Sequence, residues 1–122
     1  MKLLFNNKLE NKSQEKHEGN IEYKFKLVKL SKTKIDKLTT QMLYRFIQGN
    51  GIAEYYLGVM DNGESVGLNI NELYITLNCI LDCLYELNGL YNTITIFTQT
   101  DDRCCVHLTI EKKNLPNSKI KL

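Results

Sequence analysis

The chain has 122 residues, of which 43% are hydrophobic and 25% charged, with a formal net charge of +2. That length suits one domain able to bury roughly two-thirds of its unfolded surface, and so balanced a charge makes no case for nucleic acid by itself. Leu3-Leu4-Phe5 is far short of the ~7–15 apolar residues of a secretory signal, and no run approaches the ~18 of a membrane span. The four cysteines are therefore expected as free thiols in a cytoplasmic protein without a membrane anchor.

Residues 1–20 turn polar after Phe5 and predict a disordered tail. From Ile21 to Lys29, Ile21, Tyr23, Phe25 and Leu27 alternate with Glu22, Lys24 and Lys26, the period of a half-buried strand. Thr33 with Asp36 predicts a capping box and helix start. Ile35, Leu38, Met42 and Phe46 then form a core-facing stripe, widened by Leu43 and Ile47. Gly49-Asn50-Gly51 stops the helix. A second strand is predicted over Ile52 to Met60, then an Asp61-Asn62-Gly63 hairpin turn and a short third strand from Glu64 to Leu68. Asn69 and Glu72 resemble another capping box. Leu73, Leu77, Ile80, Leu81, Leu84 and Leu87 follow as a second helical stripe, ended by Asn88-Gly89. Asn92 to Thr100 and Arg103 to Lys112 close the pattern as strands four and five, joined at Asp101-Asp102. The order β-α-β-β-α-β-β predicts an α+β domain over 21–113. It would be a ferredoxin-like split βαβ with an added fifth strand and two helices on one face of an antiparallel sheet. Residues 114–122, with the sole proline at Pro116, read as a linker and the start of another strand.

Few residue groups suggest chemistry. Gly58 to Ser65 has the spacing of a phosphate loop, but Glu64 occupies the lysine position, where a carboxylate repels phosphate, and a hairpin is predicted where a helix is required. Cys79 and Cys83 sit one helical turn apart, whereas Cys104 and Cys105 point to opposite faces of a strand, so four thiols cannot converge as zinc requires. Cys105 and His107 share a strand face and form the only conceivable nucleophile–base pair. No catalytic, nucleotide or metal site is expected. The basic residues around the first strand and helix, including Lys24, Lys26, Lys29, Lys32, Lys34 and Lys37, suit diffuse phosphate contact. The third strand lacks the aromatics of a base-stacking RNA module.

Glu18 to Val28, Leu38 to Phe46, Gly49 to Val59, Asp61-Asn62-Gly63 and Val66-Gly67-Leu68 together resemble the region ahead of the GTPase domain in the GTP-binding protein 1 and 2 family, which is similar to elongation factors of the Tu type. The likeness runs from about Glu18 to Leu68. From there to Lys112 only element order and hydrophobic pattern agree. The resemblance implies an accessory N-terminal domain of a translational or RNA-turnover GTPase, with GTP and magnesium bound by a domain absent from this chain. The first strand of that GTPase domain would begin near Lys119–Leu122. Expected partners are the GTPase domain itself, and the ribosome, tRNA or other RNA. Lys24, Lys26 and Arg45 are the candidate RNA or partner contacts, chosen for charge. The alternative is a free-standing, non-catalytic interaction module for protein or RNA.

Overall fold

A computed structural model describes residues 1–113. The elements are β1 (Lys2–Asn6), β2 (Ile21–Lys24), α1 (Lys32–Gln48), β3 (Ile52–Leu57), α2 (Ile70–Glu86), β4 (Gly89–Thr100) and β5 (Arg103–Lys112). The five strands form one mixed sheet in the order β1-β4-β5-β3-β2. Both helices pack on one face. Leu38, Met42 and Phe46 of α1 and Leu73, Cys79, Ile80, Cys83 and Leu84 of α2 meet Ala53, Tyr55, Leu57, Val106, Leu108 and Ile110 of the central strands. Alternation in β3 and β5 delivers those sheet residues to one side, and the helical stripes supply the matching layer. The α+β class and the one-sided helices agree with the ferredoxin-like expectation. The predicted linker over 114–122 lies outside the described residues.

Local detail departs most from the sequence reading at four places. First, α1 is capped by Ser31, whose side chain accepts a hydrogen bond from the Lys34 amide at 3.3 Å, rather than by Thr33. Second, β2 ends at Lys24, because the chain leaves the sheet to pack Phe25, Leu27 and Leu30 into the helix layer. There the buried Thr76 hydroxyl accepts from the Leu27 amide at 2.9 Å. Third, the predicted third strand shrinks to two isolated bridges, Val59–Ser65 and Leu68–Cys104. Gly63 and Gly67 have positive φ, which interrupts the extended run. With no full strand there, β2 and β3 pair directly in parallel, so this βαβ unit is not split. Fourth, the predicted tail is part of the fold: β1 adds to the sheet in parallel with β4, and residues 9–19 cross the face opposite the helices.

The strand expected over Ile52 to Met60 ends at Leu57, the one expected from Asn92 starts at Gly89, and the sheet expected to be antiparallel is mixed, whereas the remaining helix-end signals appear as read. Asn69 and Glu72 close a reciprocal capping box on α2. Asn50 and Gly51 take positive φ after α1, as Asn88 does after α2.

Candidate interaction surface

Among the described residues, Arg45 is the most heavily hydrogen-bonded side chain. It lies on the core side of α1 and is only 4% exposed. Its Nε donates to Glu22 Oε1 at 2.8 Å, and Glu22, on β2, is only 2% exposed. The other nitrogens donate to four backbone carbonyls: Nη2 to Lys16 at 2.8 Å, and Nη1 to His17, Glu18 and Gly19 at 3.2, 3.2 and 2.8 Å. A planar guanidinium offers several donors in a fixed fork, and this one ties the strap 9–19 to both helix and sheet. The expectation that Arg45 contacts RNA or a partner is therefore corrected. Its donors are satisfied inside the fold.

The rest of the strap is hydrogen-bonded to the sheet and to the turn after β3. Gln99 Oε1 accepts from the Leu9 amide at 2.6 Å, and the Ser65 amide donates to Asn11 Oδ1 at 2.9 Å. The Lys12 amide donates to the Gly63 carbonyl at 2.7 Å, and the Glu15 amide to the Asp61 carbonyl at 2.8 Å. Glu15 also accepts from the Tyr23 amide at 2.5 Å, covering part of the outer edge of β2. Burial, together with the neighbouring Glu22 and Asp61, pushes the Glu15 carboxyl up to about 7, although the Tyr23 amide pulls the other way. Sequence reading missed the strap because its residues are polar and aperiodic. Its backbone hydrogen bonds, rather than an apolar stripe, hold it down.

Gly58–Ser65 is a turn clasped by this strap. Val59 bridges Ser65, the Met60 amide donates to the Glu64 carbonyl at 2.9 Å, and Glu64 is exposed. The next helix begins at Ile70, so no helix N-terminus points into the loop. The amides of Gly58, Met60 and Gly63 donate to protein carbonyls, and those of Glu64 and Ser65 to the side chains of Asn62 and Asn11.

Under the strap, Tyr23, Val59 and Cys105 form a second small core with Leu9, Tyr56 and Phe97. Tyr56 stacks on His107 with ring centroids 4.3 Å apart, and Lys12 Nζ lies 4.3 Å from the centroid of Tyr56. His107 Nε2 meets Glu54 Oε1 at 2.8 Å. The Cys105 thiol faces the Gly58 carbonyl instead, and burial pushes its pKa up to about 12. Cys105 and His107 share a face as expected but do not form a nucleophile–base pair. Cys79 and Cys83 belong to the helix-side core and Cys105 to the opposite one, so the sheet separates them. Among the described residues, no group of three or more His, Cys, Asp or Glu side chains could hold a metal ion.

Three of the lysines around the first strand and helix, Lys24, Lys26 and Lys32, have carboxylate neighbours. Lys24 lies 3.3 Å from Glu22 Oε2 and is 19% exposed at its side chain, whereas Lys26 lies 2.9 Å from Glu72 and is 46% exposed. Lys26 and the Asn69 amide hold the Glu72 carboxyl below its usual range. Lys32 pairs with Asp36 and Glu86. Exposed pairs of this kind are weak, so a phosphate can compete for Lys26 more readily than for the half-covered Lys24.

Over 66 residues the sequence is 46% identical to GTP-binding protein 2 of Mus musculus, and to GTP-binding protein 2 of Homo sapiens to the same extent. The chain is similar to GTP-binding protein 2. The aligned stretch is 54% of this chain and 11% of each relative, so the chain spans about a tenth of the length of GTP-binding protein 2. No family model matches the chain, and no solved structure matches it. Among the described residues, the only segment with phosphate-loop spacing noted in the sequence is the Gly58–Ser65 turn.

Proposed function

We propose that this chain is an accessory N-terminal domain of an elongation-factor-like GTP-binding protein acting in translation or RNA turnover in the cytoplasm. The observation that carries this reading is the 46% identity to GTP-binding protein 2 over a stretch that is 11% of that protein. GTP and magnesium would bind to a GTPase domain outside this chain. The chain's own part is non-catalytic: it packs against that GTPase domain and offers Lys26, with Lys24 behind it, to phosphates of the ribosome, tRNA or other RNA. The geometry of Gly58–Ser65 supports assigning nucleotide binding elsewhere. No helix is long and apolar enough to cross a membrane among the described residues.

Two measurements test this. Titration of the chain with a fluorescent GTP analogue should show no saturable binding; micromolar saturation would place nucleotide chemistry here after all. The codons following Leu122 in the gene should encode a short apolar strand and then G-x-x-x-x-G-K-[ST]. A stop codon there would favour the second reading, a free-standing interaction module. That second reading draws support from the edge of β1, which carries no further strand among the described residues.

A further inference from the structure

The two edges of the sheet are treated differently. At β2, Glu15 takes the Tyr23 amide and the strap lies alongside. At β1, one side pairs with β4 and the other carries no strand among the described residues. Natural edges are commonly blunted by inward charges, proline or bulges, because bare amides and carbonyls template further pairing. In β1 the sequence is Lys2-Leu3-Leu4-Phe5-Asn6, and every residue is exposed. Leu3, Leu4 and Phe5 are 48%, 40% and 73% exposed.

We propose that β1 is a homodimerisation edge, at which a second copy of this chain adds its own β1 in antiparallel register centred on Leu4. The strand is self-complementary in that register. Leu4 faces Leu4 of the second copy, Leu3 faces its Phe5, and Lys2 faces its Asn6, so no like charges are opposed. Leu3 and Phe5 are registered with Ile94 and Ile96 of β4, which pack against the helix-side core, and they lie on that face. The two copies thus bring four apolar side chains together there. The same side holds an apolar cleft of about 560 Å³ lined by Met1, Leu81, Leu84, Tyr85, Leu90 and Tyr91, so the apolar surface continues inward from the edge. A twofold axis normal to the sheet keeps both helix layers on one side and joins two five-stranded sheets into one. The contact is one short strand wide and falls below the standard interface size, so a dissociation constant on the order of 10⁻⁵–10⁻⁴ M is expected. This inference is independent of the GTPase reading.

Sedimentation equilibrium of the full chain from about 5 to about 500 µM should show a concentration-dependent monomer–dimer equilibrium. Phe5→Glu should remain monomeric throughout with an unchanged circular dichroism spectrum, since Phe5 is already mostly exposed. Register is tested by cross-linking. In a Cys104→Ser background, Leu4→Cys should form an intermolecular disulfide under mild oxidation, because antiparallel partners place their Cα atoms within about 4.5–5.5 Å. Phe5→Cys, which would face Leu3 rather than itself, should cross-link much less. A wild-type chain that stays monomeric, a Phe5→Glu variant that dimerises as well as wild type, or equal cross-linking of the two cysteine variants would each overturn the proposal.

Discussion

Replacing Arg45 with methionine keeps the length and much of the volume of the side chain but removes every donor. Glu22 would keep only Lys24, at 3.3 Å, as a charged partner inside a site where it is 2% exposed. Four strap carbonyls, those of Lys16, His17, Glu18 and Gly19, would lose their guanidinium donor. Breaking a buried ion pair from one side typically costs about 3–5 kcal/mol, mostly because the remaining charge is stranded. The strap carbonyls lie near the surface and can turn to water, so their loss adds little to that figure. Against a total stability of about 5–15 kcal/mol for a domain of this size, the loss is large. It corresponds to a fall of roughly 10–20 °C in the melting temperature. Urea unfolding followed by circular dichroism measures the loss of stability, and hydrogen exchange of the bonded strap amides of Lys12, Glu15 and Gly19 shows whether the strap is released. The double variant Glu22→Gln with Arg45→Met should recover part of the loss, since the stranded charge is gone. A single variant that loses less than about 1 kcal/mol, with exchange at Lys12, Glu15 and Gly19 unchanged, would refute the claim that this guanidinium holds the strap.

Three further outcomes follow from the same geometry. The Glu15 carboxyl is raised from 4.5 to about 7 in the fold, so between those values the folded state holds a proton that the unfolded state has released. Its contribution is fully present below pH 4.5 and is lost as pH rises through 7. The wild-type chain should thus lose stability relative to Glu15→Gln across that window, and parallel urea-midpoint curves for the two proteins would contradict the assignment. At Gly63, φ is +95° and an added Cβ would lie 2.0 Å from the Lys12 carbonyl oxygen, whereas at Gly19 φ is +91° with nothing within 4 Å. Gly63→Ala should therefore cost clearly more than the ~1–3 kcal/mol of backbone strain expected for Gly19→Ala, and equal melting temperatures would show that the strap is not pinned there. The buried Tyr55 hydroxyl has no hydrogen-bond partner among the described residues, so Tyr55→Phe should be neutral or stabilising by up to about 1 kcal/mol in urea unfolding. A loss above about 2 kcal/mol would mean that the hydroxyl is satisfied in solution.

The helices and the central strands were legible because each must bury a stripe, and burial writes a period into the sequence. The α2 capping box was equally plain, since Asn69 and Glu72 stand at the one spacing that lets them bond each other's backbone. The α1 start slipped by two residues because Ser31 and Thr33 are both competent caps, and only the entry path of the chain from Leu30 selects between them. β1 and the strap left no period to read. In β1 all five residues are exposed, and with Leu3 and Phe5 on one face and Lys2, Leu4 and Asn6 on the other the strand is too short for its alternation to stand out. Along the strap, attachment runs through main-chain groups and through Asn11, Glu15 and the distant Arg45, with partners up to 90 residues away. Charge marked Arg45 as a surface contact. Only the position of α1 relative to β2 reveals that this cation faces inward, and Glu22, the residue that turns it inward, reads in the sequence as an ordinary solvent-facing position of an alternating strand.

That inward arginine also explains why the two sheet edges differ. An edge strand that carries a buried acid, as β2 does with Glu22, must bring a cation to it, and the cation that arrives has more donors than one carboxylate can accept. The surplus donors need acceptors, and a strap of main-chain carbonyls at residues 16–19 supplies them. Once anchored there, the strap reaches the amide of Tyr23 and the turn at Asp61–Gly63, and the β2 edge is covered as a consequence. β1 has no buried charge to satisfy, and among the described residues no segment is drawn over its edge. The asymmetry of the edges thus follows from a single electrostatic requirement on one side of the sheet. Glu22→Leu paired with Arg45→Leu tests that chain of cause: hydrogen exchange should then show the strap amides opening while the helix-side core stays protected.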